Sequence, residues 1–383
     1  MSGVPKTLPR DVKSWEAAMA TMGLTDQTIH GEELASGSKI GYKQFLLLQV
    51  LWLSHHVDSL PKMLPGINKW ISEAHKMLKN YQSWETYCQG FRLPGIEEGN
   101  FAVARHYQLE VTRTKDETDQ LTLTTPIAHR TRARVKEVGG KLAEAHLETP
   151  SKSTNISEAL DIEDLGLDDP FAIPPETPIR ETPSPFREIT PAPKELENVL
   201  YPPSKDEQIV NCALVIFLNA LTIHFKLTNN WTLHRKAFKA KFEEASFEAR
   251  IDGYLDDRQG NAQVIIEVKP MTRSKKPALI QMQESVQMVA WIKSVGEQPN
   301  GVKKLRLLIS QDRHEIFLTV AEYDDDYIKY LEDKNHRSES PSFMTMHQFG
   351  PWNTLDANHM KYLGPILLAI SLRAEAEGRK NTP

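Results

Sequence analysis

Arg250-Ile251-Asp252-Gly253-Tyr254-Leu255 and Val264-Ile265-Ile266-Glu267-Val268-Lys269-Pro270 decide how this chain is read. Both stretches are dominated by aliphatic and aromatic residues and read as strands. Between them lies a mostly polar segment with Asp256, Asp257, Arg258, Gln259, Gly260 and Asn261, a composition that suits a turn. The two strands then form a hairpin that brings Asp252 near Glu267. The period of two along a strand puts Glu267 and Lys269 on one face. Two carboxylates and an ammonium at one end of a sheet can hold a hard divalent cation and polarise a water beside it.

Working outward, Ser204-Lys-Asp-Glu207 has the form of a capping box ahead of a strongly apolar helix that runs to about residue 225. Residues 231–242 read as an irregular strand, and residues 247–255 and 263–268 as the hairpin. Residues 278–295 form a helix ended by Gly296. A second strand pair, 304–310 and 315–321, surrounds Gln311-Asp312-Arg313-His314, a turn that leaves His314 facing solvent. A short helix follows over 325–331, with Asp324, Asp325 and Asp326 at its dipole-favoured start. The chain closes with an amphipathic helix over 356–374. The order α-β-β-β-α-β, with additions, implies an α/β fold with a mixed sheet flanked by helices.

The bulk composition bounds the rest. The chain has 383 residues, 40% apolar and 25% charged, enough for two domains and a linker. Its net charge of -5 offers no global basic excess, so any nucleic-acid contact must come from local patches. Cys88 and Cys212 lie far apart with no metal-ligand spacing, which suits a reducing interior, cytoplasmic or nuclear. The first residues lack an apolar signal core. The longest apolar runs, 45–53 and 209–223, are broken by Gln49, Asn211 and Asn219 and read as buried helices rather than membrane spans.

Three zones emerge. Residues 1–115 read as a small helical N-terminal module. Helical spacing covers 43–60 and 62–87, Trp52, Trp70 and Trp84 are candidate core, and Pro61 and Pro65-Gly66 act as punctuation. His55 and His56, beside Asp58, read as surface or interface histidines. Residues 116–200, dominated by Pro, Thr, Ser and Glu, read as a disordered linker. Thr177, Thr182, Ser184 and Thr190 each precede proline, the setting for proline-directed phosphorylation or for a plain spacer. The basic run at 129–136 reads as a solvated loop, a nuclear-import signal or a phosphate-contacting patch. Residues 201–383 carry the chemistry.

Asp252, fourteen residues, then Glu267-Val268-Lys269, with a helix before and after, resembles the PD-(D/E)XK nuclease superfamily, the fold of restriction endonucleases and Holliday-junction resolvases. The resemblance spans about residues 204–310. Residues 323–331 and Gly350-Pro351-Trp352 are similar to a fungal subgroup with this core. The resemblance implies a restriction-endonuclease-like core and a metal-dependent DNA nuclease. It implies that Asp252 and Glu267 ligate Mg²⁺ or Mn²⁺ and that the carbonyl of Val268 completes the protein ligands. Lys269 would orient the attacking water and help to deprotonate it. Glu207 matches a position where many members carry an acidic residue that reaches the metal; as the partner of the Ser204 cap it has a second reading. Gln283 and Gln287 share a helix face where some branches carry Gln-x-x-x-Tyr near substrate or beside the metal site. Here glutamine stands in the tyrosine position, and a polar helix face opposite Ile280, Met288 and Trp291 is the plainer reading. Arg273, Lys275 and Lys276 follow the active strand and are placed for phosphates. The implied partner is nucleic acid, DNA above all, and a homodimer fits the resemblance. Two alternatives stand beside it. One is a nuclease-like fold without turnover that binds nucleic acid or protein, which the near-neutral charge favours. The other is a scaffold whose N-terminal helices and phosphorylatable linker do the work.

Overall fold

The amphipathic patterns resolve, in a computed structural model, into helices and strands over residues 5–31, 34, 36–112, 206–243, 245–257, 259–333 and 341–380, the residues it describes. The expected linker at 116–200, with its four Ser/Thr-Pro positions and basic run, and Ser204 lie outside the described residues.

The elements are α1 (Val12–Met22), α2 (Tyr42–Leu47), β1 (Val50–His55), α3 (Leu60–Met63), α4 (Ile67–Lys79), α5 (Gln82–Gly90) and α6 (Ala102–Glu110) before the linker. After it come α7 (Glu207–Thr222), β2 (Asn230–Thr232), β3 (Lys236–Lys241), β4 (Ser246–Ile251), β5 (Gly253–Asp256), β6 (Ala262–Lys269), α8 (Pro277–Val295), β7 (Lys304–Asp312), β8 (Glu315–Tyr323), α9 (Asp325–Glu332), β9 (Met344–Asn353) and α10 (Ala357–Lys380). Seven strands form one mixed sheet in the order β1-β9-β8-β7-β6-β5-β2, and β3 and β4 form a separate antiparallel ribbon. The β6–β7 and β1–β9 pairs are parallel and the others antiparallel.

Side-chain alternation divides the core between the two faces. On β6, Val264, Ile266 and Val268 face a layer that includes α4, α5, α7 and α10, and Ile265 faces α1, α2, α8, α9 and the β3–β4 ribbon. The result is an α/β fold with a mixed seven-stranded sheet flanked by helices. The central strand β6 is buried from Val264 to Lys269, as the apolar run in its sequence requires. Asp324 caps α9 by accepting from Tyr327 N at 2.9 Å, as the acidic start anticipates. Among the described residues no helix is long and apolar enough to cross a membrane.

The N-terminal segment departs from the sequence reading. The expected helix over 43–60 breaks into α2 and β1, and β1 adds to the sheet edge beside β9, with Val50 opposite Met344 and His55 opposite Phe349. The division into a helical module at 1–115 and a separate domain at 201–383 is therefore corrected: described residues from both sides of the linker belong to one compact unit. The apolar run at 45–53 is buried because the rest of the chain covers it. Tyr327 and Tyr330 donate their hydroxyls to Leu48 O and Leu47 O at 2.7 and 2.6 Å. Trp52 Nε1 donates to Ser285 Oγ on α8 at 2.8 Å. Two further expectations change. The strand expected over 231–242 is two short strands in different sheets. The turn around 311–314 shrinks to Arg313-His314 as β7 and β8 extend towards each other, and His314, expected in solvent, is 5% exposed.

Two measurements test this packing. Gly364 of α10 lies against Trp84 of α5, where an added Cβ would stand 2.2 Å from the indole. The Gly364→Ala variant therefore loses about 1–3 kcal/mol in urea unfolding, and smaller side chains at position 84 recover part of it. Burial, helped by the Arg313 charge, lowers the His314 pKa to about 4. The folded protein keeps His314 neutral while the unfolded chain takes up a proton below about pH 6.5. Stability is thus unaffected by this group above pH 6.5 and falls by on the order of 3 kcal/mol from there to pH 4. His314→Gln flattens that part of the pH–stability curve.

Candidate metal centre

Asp252 sits at a break between two strands. The single strand expected over 247–255 splits there: Ile251 ends β4, opposite Lys236 of the ribbon, and Gly253 begins β5, opposite Ile266 of the main sheet. Asp252 belongs to neither and is fixed by its backbone. Its N–H donates to Ile266 O at 3.0 Å, and its carbonyl accepts from Asn211 Nδ2 of α7 at 2.9 Å. Gly253 is required beside it, because a Cβ there would lie 2.5 Å from Thr232 O.

Glu267 and Lys269 lie on β6 two residues apart, as the strand period predicts. Glu207 comes from the opposite direction as the first residue of α7. Asp206 caps that helix, accepting from Gln208 N at 2.9 Å, so Glu207 is free of the capping role that its spacing from Ser204 suggested. The end of the helix that carries partial positive charge favours a carboxylate at this position.

One carboxylate oxygen from each of Glu207, Asp252 and Glu267 lies within 4.8 Å of the others. Lys269 Nζ donates to Glu207 Oε1 at 3.1 Å and to Glu267 Oε1. Gln283 Nε2 donates to Glu267 Oε1 at 2.6 Å, and Gln287 Nε2 to Glu267 Oε2 at 2.5 Å and to Arg250 O at 2.8 Å. Arg235 Nη2 pairs with Asp252 Oδ1 at 3.1 Å, and Val268 N–H donates to Asp252 Oδ2 at 3.2 Å. Glu267 and Lys269 are each 2% exposed.

Burial sets the protonation behaviour. It lifts Glu267 well above the ordinary carboxylate value, reinforced by the Asp252 charge and opposed by Lys269. Glu207 is raised for the same first reason, with Lys269 pulling the other way. For Lys269 burial works against the charge, but the surrounding carboxylates outweigh it and keep the side chain an ammonium.

Oxygen donors from three elements within this span suit a hard divalent cation, whose ligand distances are about 2.0–2.6 Å. The amide oxygen of Gln287, a residue 1% exposed, has no hydrogen-bond partner. Among the described residues this is the one group of three or more acidic, histidine or cysteine side chains close enough to share an ion.

Asp252, Glu267, Lys269 and Glu207 thus converge. Val268 contributes its N–H to Asp252. The sequence leaves Gln283 and Gln287 at substrate, beside the metal site or on a plain polar helix face; both have their amide nitrogens on Glu267 and orient it. Arg273 was expected at phosphates and is corrected. It is 4% exposed, with its guanidinium over the Phe317 ring, and pairs with Asp312 Oδ2 at 2.6 Å and with Glu284. It also donates to Ser310 Oγ and Gln348 Oε1 at 2.9 and 2.7 Å. Its charge is consumed inside the protein because two carboxylates are buried beside it. Lys275 and Lys276 stay partly exposed next to it. His56 is a surface residue paired with Asp58, whereas His55 joins β9 through a 2.8 Å contact from its Nε2 to His347 Nδ1.

The residues missed from the sequence are Arg235, Asn211, Glu284 and Asp312. Asp312 was hidden in an expected turn, yet it is the register partner of Lys269 across β6 and β7. Arg235 lies between β2 and β3, outside any periodic pattern.

No known protein family matches the chain, and no curated protein is similar to it in sequence.

Arg273→Met leaves Glu284 and Asp312 buried without their cation. It is expected to lower the unfolding free energy by about 3–5 kcal/mol in urea titration, and adding Glu284→Gln and Asp312→Asn restores part of the loss.

Proposed function

We propose that the protein is a metal-dependent phosphodiesterase, a DNA nuclease with a restriction-endonuclease-like core of the PD-(D/E)XK superfamily. The observation that carries this reading is the meeting of Asp252, Glu267 and Glu207 within 4.8 Å, with Lys269 two residues beyond Glu267 on the same strand. In this reading Asp252, Glu267 and Glu207 hold Mg²⁺ or Mn²⁺, with the Val268 carbonyl a further donor. The bound cation supplies Lewis acidity at the phosphoryl oxygen and lowers the pKa of a water. The protein's own contribution is positional. Gln283 and Gln287 hold both oxygens of Glu267, so the carboxylate does not reorganise when substrate arrives. Lys269, kept cationic by its neighbours, orients water and offsets charge at the phosphate. Lys275 and Lys276 supply backbone-phosphate contacts, now without Arg273.

A second reading, a nuclease-like fold that binds nucleic acid or protein without turnover, is favoured by the burial of the cluster. Glu267 and Lys269 are each 2% exposed, so they offer almost no surface to a phosphodiester.

The test uses the full chain, because α2 and β1 are built into the same unit as the site. Labelled single- and double-stranded DNA is incubated with Mg²⁺ or Mn²⁺. Cleavage is expected, absent with EDTA and reduced by at least about 10²-fold in Lys269→Ala. In parallel, Mn²⁺ raises the melting temperature of the wild type, by an amount equivalent to about 2.7 kcal/mol at a hundredfold excess over Kd, and the rise is lost in Glu267→Gln. Metal stabilisation without cleavage selects the second reading; no metal response rejects the first.

A further inference from the structure

The acidic cluster carries an occupant of its own. Three carboxylates face two cations, Lys269 and Arg235, and the two cations differ in placement. Lys269 is fixed on the central strand and its side chain is 2% exposed. Arg235 lies between β2 and β3, its side chain is 27% exposed, and its one ion pair among the described residues is with Asp252 Oδ1. The other oxygen of Asp252 is turned to the backbone N–H of Val268. The guanidinium therefore covers the one oxygen of Asp252 that the backbone leaves open. It is also near enough to lower the Glu207 pKa by its charge.

A divalent cation that uses Asp252 Oδ1 would stand about 2.0–2.6 Å from that oxygen, and the guanidinium stands 3.1 Å from it. The two compete for the same oxygen and, both being positive, repel each other in a site where burial weakens screening. Lys269 has two other anchors, Glu207 and Glu267, and no exposed path by which to leave. Arg235 has both a long flexible stem and solvent at its edge.

We propose that Arg235 is a built-in counter-ion that occupies the cation corner of Asp252 in the metal-free protein and swings out as the divalent cation enters. Cation binding is then an exchange of one positive group for another. Arg235 lowers the excess negative charge of the metal-free cluster, and the affinity for the cation is set below what the three carboxylates and Lys269 alone would give. The same movement opens the edge through which a substrate phosphate reaches the buried Glu267 and Lys269. This inference rests on the cation-binding part of the proposed function and does not require cleavage.

Mn²⁺ binding to the full chain by titration calorimetry, with bound Mn²⁺ followed by paramagnetic resonance, decides it. Arg235→Met is expected to bind Mn²⁺ at least about tenfold more tightly than the wild type. Arg235→Lys, which keeps the charge, stays within about threefold of the wild type, a bound set by the same screened Coulomb interaction. Thermal unfolding of metal-free Arg235→Met, expected as a single transition, shows that the variant is folded. Equal or weaker Mn²⁺ binding by folded Arg235→Met, with binding still abolished by Glu267→Gln, overturns the counter-ion and leaves the metal site standing. Absence of Mn²⁺ binding in both wild type and Arg235→Met overturns the two together.

Discussion

Burying carboxylates in contact with one another is the constraint around which this protein is arranged. Ionised Glu267 and Asp252, taken out of water and placed side by side, repel each other and lose hydration. Lys269 makes the arrangement tolerable, held between Glu207 and Glu267. Nearby structure supports that pairing. The positive end of α7 receives Glu207, α8 brings two glutamine amides onto Glu267, and Asn211 and the Ile266 carbonyl fix the backbone of Asp252. In the proposed reading, the side chains that would hold the cation are already ordered by these contacts, and Arg235 is the group that has to move.

A second buried network stands behind the first and ties down the same end of the sheet. Asp312 is opposite Lys269 in the β6–β7 register, and Arg313 N–H donates to Lys269 O at 2.8 Å. Arg273 then ties Asp312 to Glu284 of α8 and Gln348 of β9. The loop after β6 is thereby anchored to α8 and to two further strands. Arg273, which looks suited to an external phosphate, is spent on internal charge balance, as a buried acid pair requires.

The N-terminal residues matter for the same geometry. Strand β1 covers the edge of β9, and Trp52 reaches across to Ser285 of α8, one turn from Gln281 and two residues from Gln287. Without β1 the β9 edge would present unpaired backbone groups, an invitation to foreign pairing. The helix that carries both glutamines would also lose a neighbour.

Period and residue chemistry were enough, from the sequence, to place Glu267 and Lys269 on one face of the second strand of a hairpin, to bring Asp252 near Glu267, and to set helices before and after the strands. These follow from local rules, because a strand alternates and a long apolar run must be buried. Tertiary structure decided the rest. Residues 50–55 have apolar spacing compatible with a helix and become a strand because β9 offers a parallel partner. The stretch 247–255 looks continuous and breaks at Asp252 because its two halves pair with different strands. Whether Arg273 faces solvent or two acids, and whether Arg235 comes to Asp252 at all, depends on partners 11 to 39 residues away in one case and 17 in the other. Charge pairing of that kind carries no period along the chain, so it is legible only once the fold has brought the groups together.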